Sequence, residues 1–214
     1  ENREKVRLVN VVGTQNIADI CKELGIKMMY ISTDYVFDGQ GTTPWDPDCK
    51  DYAPQNVYGQ TKLDGELAVS GTVDKFFIVR IAWVFGKNGK NFIKTMINLG
   101  KTHDTLSVVN DQIGTPTYTY DLARLLVDMI QTDKYGRYHA TNEGLCSWYE
   151  FAKEIFRQAG MDVPVTPVSS DQFPAKAARP SNSRLSKEKL SENGFERLPA
   201  WQDALGRFLK EIEY

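Results

Sequence analysis

Cysteine and histidine are scarce: Cys21, Cys49 and Cys146, with His103 and His139, are the full set in 214 residues. An odd cysteine count without CxxC spacing implies neither a disulfide framework nor a zinc ribbon. Two scattered histidines are too few for a zinc-hydrolase ligand set, and no acidic cluster marks a metal site, so metal binding stays open. Excess charge is missing as well, with 26 Lys and Arg against 28 Asp and Glu and a net charge of −2. That balance argues against broad contact with a phosphate backbone, so no nucleic-acid partner is expected. No apolar run approaches the roughly 18 residues that suggest a membrane span, and no membrane partner is expected either. The lack of a secretory n-region and h-region favours the cytoplasm. Finally, none of the 16 glycines forms a GxGxxG or GxxGxxG turn. Gly39 and Gly41 fall in a proline-flanked loop, the wrong context for phosphate binding.

What is present is ordinary for a soluble globular chain: 41% hydrophobic and 25% charged residues. The length allows one substantial domain, or a main body with a smaller lobe. From Val6, the residues Val9, Val12, Ile17, Ile20, Cys21 and Leu24 recur at three- and four-residue steps. This predicts a helix with one buried face, stopped at Gly25. Ile26–Ile31 is apolar except for Lys27 and reads as a buried parallel strand. A helix is expected from about Asn56 to Val69, and a second buried strand from Phe76 to Ala82. Helix, strand, helix, strand in this rhythm predicts an α/β sheet covered on both faces. Further helices are expected over Asn91–Leu99, Asp121–Ile130, Trp148–Ala159 and Trp201–Ile212, with a short strand at Arg137–Ala140. The proline-rich stretch Pro164–Pro180 reads as irregular.

Ser32-Thr33-Asp34-Tyr35-Val36-Phe37 follows directly on the first buried strand. Open α/β sheets bind ligands beyond the carboxyl ends of their strands, so a hydroxyl there can face a substrate. The alternative is that Ser32 or Thr33 only caps local backbone. Tyr58 and Lys62 lie four residues apart and share one helix face. A phenol beside an ammonium ionises more easily, and such a Tyr can hand a proton to a carbonyl oxygen. Chance alone supplies this spacing in a chain so rich in Tyr and Lys, and Tyr149 with Lys153 repeats it. Only Tyr58 combines an upstream strand-ending hydroxyl pair with a second buried strand soon after.

Together, Ser32–Phe37 and Pro54-Gln55-Asn56-Val57-Tyr58-Gly59-Gln60-Thr61-Lys62 resemble the extended short-chain dehydrogenase/reductases. Within these the chain is most similar to the dTDP-4-dehydrorhamnose reductase family. Arg80-Ile81-Ala82-Trp83-Val84-Phe85-Gly86, Asp111-Gln112-Ile113-Gly114-Thr115-Pro116-Thr117 and Arg179-Pro180-Ser181-Asn182-Ser183-Arg184-Leu185 extend the likeness in family order. The resemblance implies a Rossmann-like, doubly wound parallel α/β sheet with a smaller C-terminal substrate lobe. Residues 1–105 would form the remainder of the dinucleotide-binding domain. Residues 106–214 would be mainly the substrate lobe, with a strand near 137–140 returning to the main sheet.

By the same resemblance, Thr33, Tyr58 and Lys62 are the catalytic residues of an NADPH-dependent reduction of a dTDP-4-keto-6-deoxysugar. Tyr58, Lys62 and Trp83 would meet the cofactor. Tyr35, Trp83, Gln112, Thr115 and Arg179 would meet the sugar nucleotide, Arg179 gripping phosphate in a bidentate fork. The alternatives are core packing for Trp83 and a surface ion pair for Arg179. The choice between NADPH and NADH stays open, as does a homodimer. Two other functions stay in view. One is another NDP-sugar enzyme, a dehydratase, epimerase or different reductase, of which the resemblance implies that a dehydratase would carry a carboxylate where Tyr35 stands. The other is a regulatory subunit like that of methionine adenosyltransferase, which would keep the fold without the turnover. The likeness begins at the family's fourth helix, so an N-terminally truncated chain is expected, inactive on its own and a weak binder of NADPH without the Gly-rich turn.

Overall fold

The computed structural model describes residues 2–172 and 178–212. Its first helical stretch runs through α1 (Arg3–Arg7), a π-helical turn (Leu8–Val12) and α2 (Gly13–Leu24). Gly25 ends α2 at φ 64°, a left-handed turn that Gly adopts without a Cβ penalty. There follow β1 (Met28–Thr33), a 3-10 turn (Asp34–Val36), α3 (Val57–Thr72) and β2 (Phe76–Ile81). Next come β3 (Val84–Phe85), α4 (Phe92–Gly100), β4 (Leu106–Val109), β5 (Ile113–Gly114) and β6 (Thr117–Tyr118). The chain continues through α5 (Thr119–Ile130), β7 (Gly136–His139), β8 (Cys146–Ser147), α6 (Trp148–Ala159) and β9 (Val165–Val168). It closes with β10 (Asn182–Ser183), α7 (Glu188–Glu192) and α8 (Trp201–Glu211).

The main sheet is parallel, in the order β1-β2-β7. Alternation along β2 sends its side chains to opposite faces. Ile78 packs with Met28, Tyr30, Ala18, Cys21, Val69 and Val73 under α2 and α3. Phe77 and Val79 pack with Leu122, Leu125 and Met129 of α5 on the other side. Both faces are therefore covered by helices, as the near-continuous apolar strands require. The second body of apolar packing joins β3 and β6 to α4, α6 and α8 around Phe85, Ile97, Phe151, Ile155 and Phe208.

Two expectations need correction. Of the apolar stripe of the first helix only Cys21 is buried: Val9, Val12, Ile17, Ile20 and Leu24 are exposed, and Thr14 and Ala18 face inward beside Cys21. Small residues are used because α3 crosses too closely for large ones. A Cβ on Gly65 would lie 2.2 Å from the Tyr30 hydroxyl and 2.7 Å from the Asn10 carbonyl. Second, Pro164–Pro180 is not wholly irregular, since β9 pairs in parallel with β4, Val108 opposite Pro167. Pro167 is tolerated because this sheet has only two strands, and an edge position demands no N–H from proline. Residues 173–177 of that stretch lie outside the described residues. Among the described residues, no helix is long and apolar enough to cross a membrane.

Candidate active site

The carboxyl end of β1 delivers Ser32 and Thr33 beside the start of α3. Thr33 adopts an extended backbone and caps the 3-10 turn, its Oγ1 accepting from the Tyr35 amide at 3.3 Å. Capping and facing the site thus coexist in one residue. Asn56 caps α3, its Oδ1 accepting from the Gly59 amide at 2.9 Å. This fixes Tyr58 in the first turn and Lys62 one turn later. The rings of Tyr35 and Tyr58 meet edge to face with centroids 5.7 Å apart. Thr33, Tyr35, Tyr58, Lys62 and Trp83 all line one cavity of about 570 Å³. Its remaining wall is largely apolar, with Ile31, Ile81, Ala82, Val84 and Trp148.

Gly59 permits this assembly. A Cβ there would lie 2.3 Å from the Tyr35 carbonyl oxygen, a backbone atom that cannot swing aside. Gly59→Ala is therefore expected to push the start of α3 off the 3-10 turn and cost about 1–3 kcal/mol of stability. Because Tyr58 is the adjacent residue, turnover should fall more than the melting temperature alone predicts. Thermal melts beside steady-state kinetics check this; a variant with unchanged melting and unchanged turnover would refute the close packing.

The electrostatics differ from the simple picture of a phenol softened by an ammonium. Burial raises the Tyr58 pKa, the Thr33 hydroxyl draws it down, and the Asp34 charge raises it further. Lys62 does not soften it: its Nζ donates to the Ile31 carbonyl at 2.6 Å and sits 3.9 Å from the centre of the Tyr30 ring. The expected ionisation of Tyr58 is thus corrected, and the phenol holds its proton. Burial lowers Lys62 to about 8, partly opposed by Glu66. Asp34, fully enclosed, is pushed up to about 6 by burial against hydrogen bonds from Ser183 and Thr33. Thr33 Oγ1 donates to Asp34 Oδ1 at 3.0 Å and Ser183 Oγ to Oδ2 at 2.5 Å. Through that carboxylate the distant strand β10 is tied to the carboxyl end of β1.

Behind this layer lies a second carboxylate that orients α3. Arg80 of β2 and Glu66 of α3, both buried, form a two-pronged pair at 2.8 and 2.7 Å. The remaining Arg80 donors reach the Pro47 carbonyl, the Tyr52 hydroxyl and His139 Nε2. His139 is held neutral, its pKa driven well down by burial and then by the Arg80 charge.

Trp83 is the one non-glycine with a left-handed backbone among the described residues, at φ 50°. For a bulky side chain this costs on the order of 1–3 kcal/mol and persists only where the surroundings impose it. Its indole stacks on that of Trp148, with centroids 3.7 Å apart and planes 17° from parallel. Trp148 was not foreseen. Ser147 and Glu150 form a capping box that announces where α6 begins, but not which cavity its first residue enters. Asp34 and Ser183 were also missed as partners.

The weaker sequence candidates lie elsewhere. Gln112 donates to Ser170 Oγ at 2.9 Å, and Thr115 donates to the Gly144 carbonyl at 2.6 Å. Neither lines the cavity holding Tyr58. Arg179 is exposed but close enough to Tyr35 to oppose the burial that raises its pKa to about 12. Among the described residues no group of three or more His, Cys, Asp or Glu side chains could hold a metal ion.

The family described as RmlD substrate binding domain matches residues 1–214. The spore coat polysaccharide biosynthesis protein SpsK of Bacillus subtilis is 38% identical over 97% of this chain and 72% of its own length. A dTDP-4-dehydrorhamnose reductase of Escherichia coli is 38% identical over 98% of this chain and 73% of its own. Among solved structures, a dTDP-4-dehydrorhamnose reductase from Bacillus anthracis in complex with NADP superimposes with a TM-score of 0.94. It is 46% identical and covers 98% of this chain and 74% of that one.

Proposed function

Because the chain belongs to the RmlD substrate binding domain family, we propose that its protein reduces the 4-keto group of dTDP-4-dehydro-L-rhamnose to dTDP-L-rhamnose with NADPH. The observation that carries this is the convergence of Thr33, Tyr58 and Lys62 on one cavity whose far wall is apolar. The likeness to reductases, one of them solved with NADP, supports the direction and the cofactor.

The residues present fit the nicotinamide end of a dinucleotide. Ser32 Oγ is buried, lines the cavity and lacks a hydrogen-bond partner, the state expected of a group reserved for a ligand. Lys62 would hold the ribose hydroxyls with its ammonium, with Ile31 and Ile81 at the strand ends set against the ring. When bound, the reduced nicotinamide supplies a hydride. This chain's own residues supply the proton and the geometry. Tyr58, protonated at neutral pH, donates to the oxygen of the keto group as charge develops there. Thr33 would turn its hydroxyl hydrogen from Asp34 to the same oxygen. Tyr35 stands where a dehydratase would need a carboxylate base, and a phenol pushed up to about 12 does not serve as one. Arg179, beside Tyr35, suits the diphosphate.

The test is direct. Protein given NADPH and dTDP-4-dehydro-L-rhamnose should yield dTDP-L-rhamnose and oxidised cofactor in equal amounts; a purified protein that forms neither refutes the proposal.

A pH signature follows from Lys62. Its burial favours the neutral amine, so the ammonium is present below about 8 and lost as pH rises through that value. The KM for NADPH should therefore climb above that pH. Lys62→Met should show a high KM with that rise removed, and a wild-type KM that stays level across the range would dismiss the role of Lys62 in cofactor binding.

A further inference from the structure

We propose that Trp148 is a positioning residue for this reaction: stacked on Trp83, it holds the strained indole as the apolar wall against which the deoxysugar ring lies. The inference rests on the reductase reading for its substrate, but its structural half stands separately.

Trp83 occupies a conformation that a tryptophan does not adopt unaided. Three contacts hold it. Thr117 of β6 fastens the backbone on both sides, its Oγ1 donating to the Ala82 carbonyl at 2.6 Å and its amide to the Trp83 carbonyl at 3.1 Å. Gly114 leaves room for the ring: a Cβ there would meet Trp83 Cε2 at 3.0 Å and Cζ2 at 3.1 Å. Trp148 then covers the indole at stacking distance. Trp148 is itself braced by the Phe92 ring, with centroids 4.6 Å apart, which joins the pair to the core of the second lobe.

The strain has a direction. Both indoles line the cavity that holds Thr33, Tyr58 and Lys62. Thr33, Tyr58 and Lys62 present the polar chemistry, while Trp83 and Trp148 join Ala82 and Val84 in an apolar surface. A sugar with a methyl group in place of a hydroxymethyl offers a matching apolar edge, since stacking on an aromatic face needs no hydrogen bond from that edge. Had Trp83 been needed only for packing, a relaxed backbone would have served.

Two variants and a spectroscopic readout test this. Stacked indoles at this separation should give an exciton couplet in far-ultraviolet circular dichroism, where the intense indole transition lies, lost in Trp83→Phe and in Trp148→Phe. Trp148→Leu is expected to raise the KM for the sugar nucleotide about 10-fold, the scale of one lost aromatic contact, with kcat and the KM for NADPH nearly unchanged. Trp148→Phe keeps a ring and should recover most of that loss. If Trp148→Leu shifts only the KM for NADPH, or lowers melting without touching either KM, the assignment is wrong. If the wild-type protein shows no couplet, the stacking itself is refuted. Absence of any turnover of dTDP-4-dehydro-L-rhamnose by wild type would instead overturn the reductase reading, and the couplet and melting data would still decide whether Trp148 holds Trp83.

Discussion

Replacing Tyr58 by Phe is expected to cut turnover about 10²–10⁴-fold, the usual contribution of a positioned general acid. Only one hydroxyl disappears, and the ring that packs edge to face on Tyr35 stays. Binding of the sugar nucleotide, followed by calorimetry in the protein as the cell makes it, should hence change little. The result should appear as a loss in kcat with KM nearly constant, which marks a group acting in the transition state. Tyr149→Phe provides the control. Tyr149 shares the Tyr-to-Lys spacing, with Lys153 Nζ 5.3 Å from its ring centre, yet it lies on α6 outside the cavity lining. Equal losses in the two variants would show that spacing had been mistaken for function.

The largest effect on stability is expected at Glu66. Its carboxylate is 1% exposed and the Arg80 side chain fully enclosed, so Glu66→Ala strands a charge with no route to water. Removing one partner of such a pair costs about 3–5 kcal/mol, a large part of the 5–15 kcal/mol that holds a typical domain together. Urea unfolding measures it. The double variant Glu66→Leu with Arg80→Met should recover most of the loss, because neither charge then needs a partner. Recovery has a limit, since Arg80 also ties down the Pro47 carbonyl and the Tyr52 hydroxyl. A single Glu66→Ala variant as stable as wild type would mean that water or another group reaches Arg80. Turnover offers a second readout. Glu66 lies one turn beyond Lys62 on α3, so loosening the pair should also blur the register of Tyr58 over β1.

Particular residues show how far the sequence was legible. The helix bearing Tyr58 and Lys62 and the strand carrying Arg80 were readable in place, and the first buried strand was readable two residues early, at Ile26–Ile31 rather than Met28–Thr33. Each has one local signal: an apolar run for the strands and a proline-free stretch for the helix. The two-residue strands were not readable. Val84–Phe85 and Thr117–Tyr118 pair with each other, while Ile113–Gly114 lies between Cys146–Ser147 and Asn182–Ser183. A strand of two residues has no periodicity to detect, and its identity comes wholly from the partner laid beside it. The first helix failed for the opposite reason. Its periodic apolar stripe was plain, but periodicity names a face without saying what covers it. Here the close crossing at Gly65 turned the small residues Thr14 and Ala18 inward with Cys21 and left the larger residues of the stripe outside.

The site divides along the same line. Residue types and order along the chain determined that Thr33, Tyr58 and Lys62 could share one end of a parallel sheet, because strand ends and helix faces are local consequences of sequence. They could not determine the direction of the Tyr58 shift, which depends on burial and on where Lys62 points. Nor could they show that Asp34 is bonded to Ser183, or that Trp148 covers Trp83. Those pairs are separated by 149 residues and by more than sixty positions, and they meet only because distant stretches of the chain pack together. Contacts of that kind are set by packing between bodies, a property of the whole chain that no local stretch encodes.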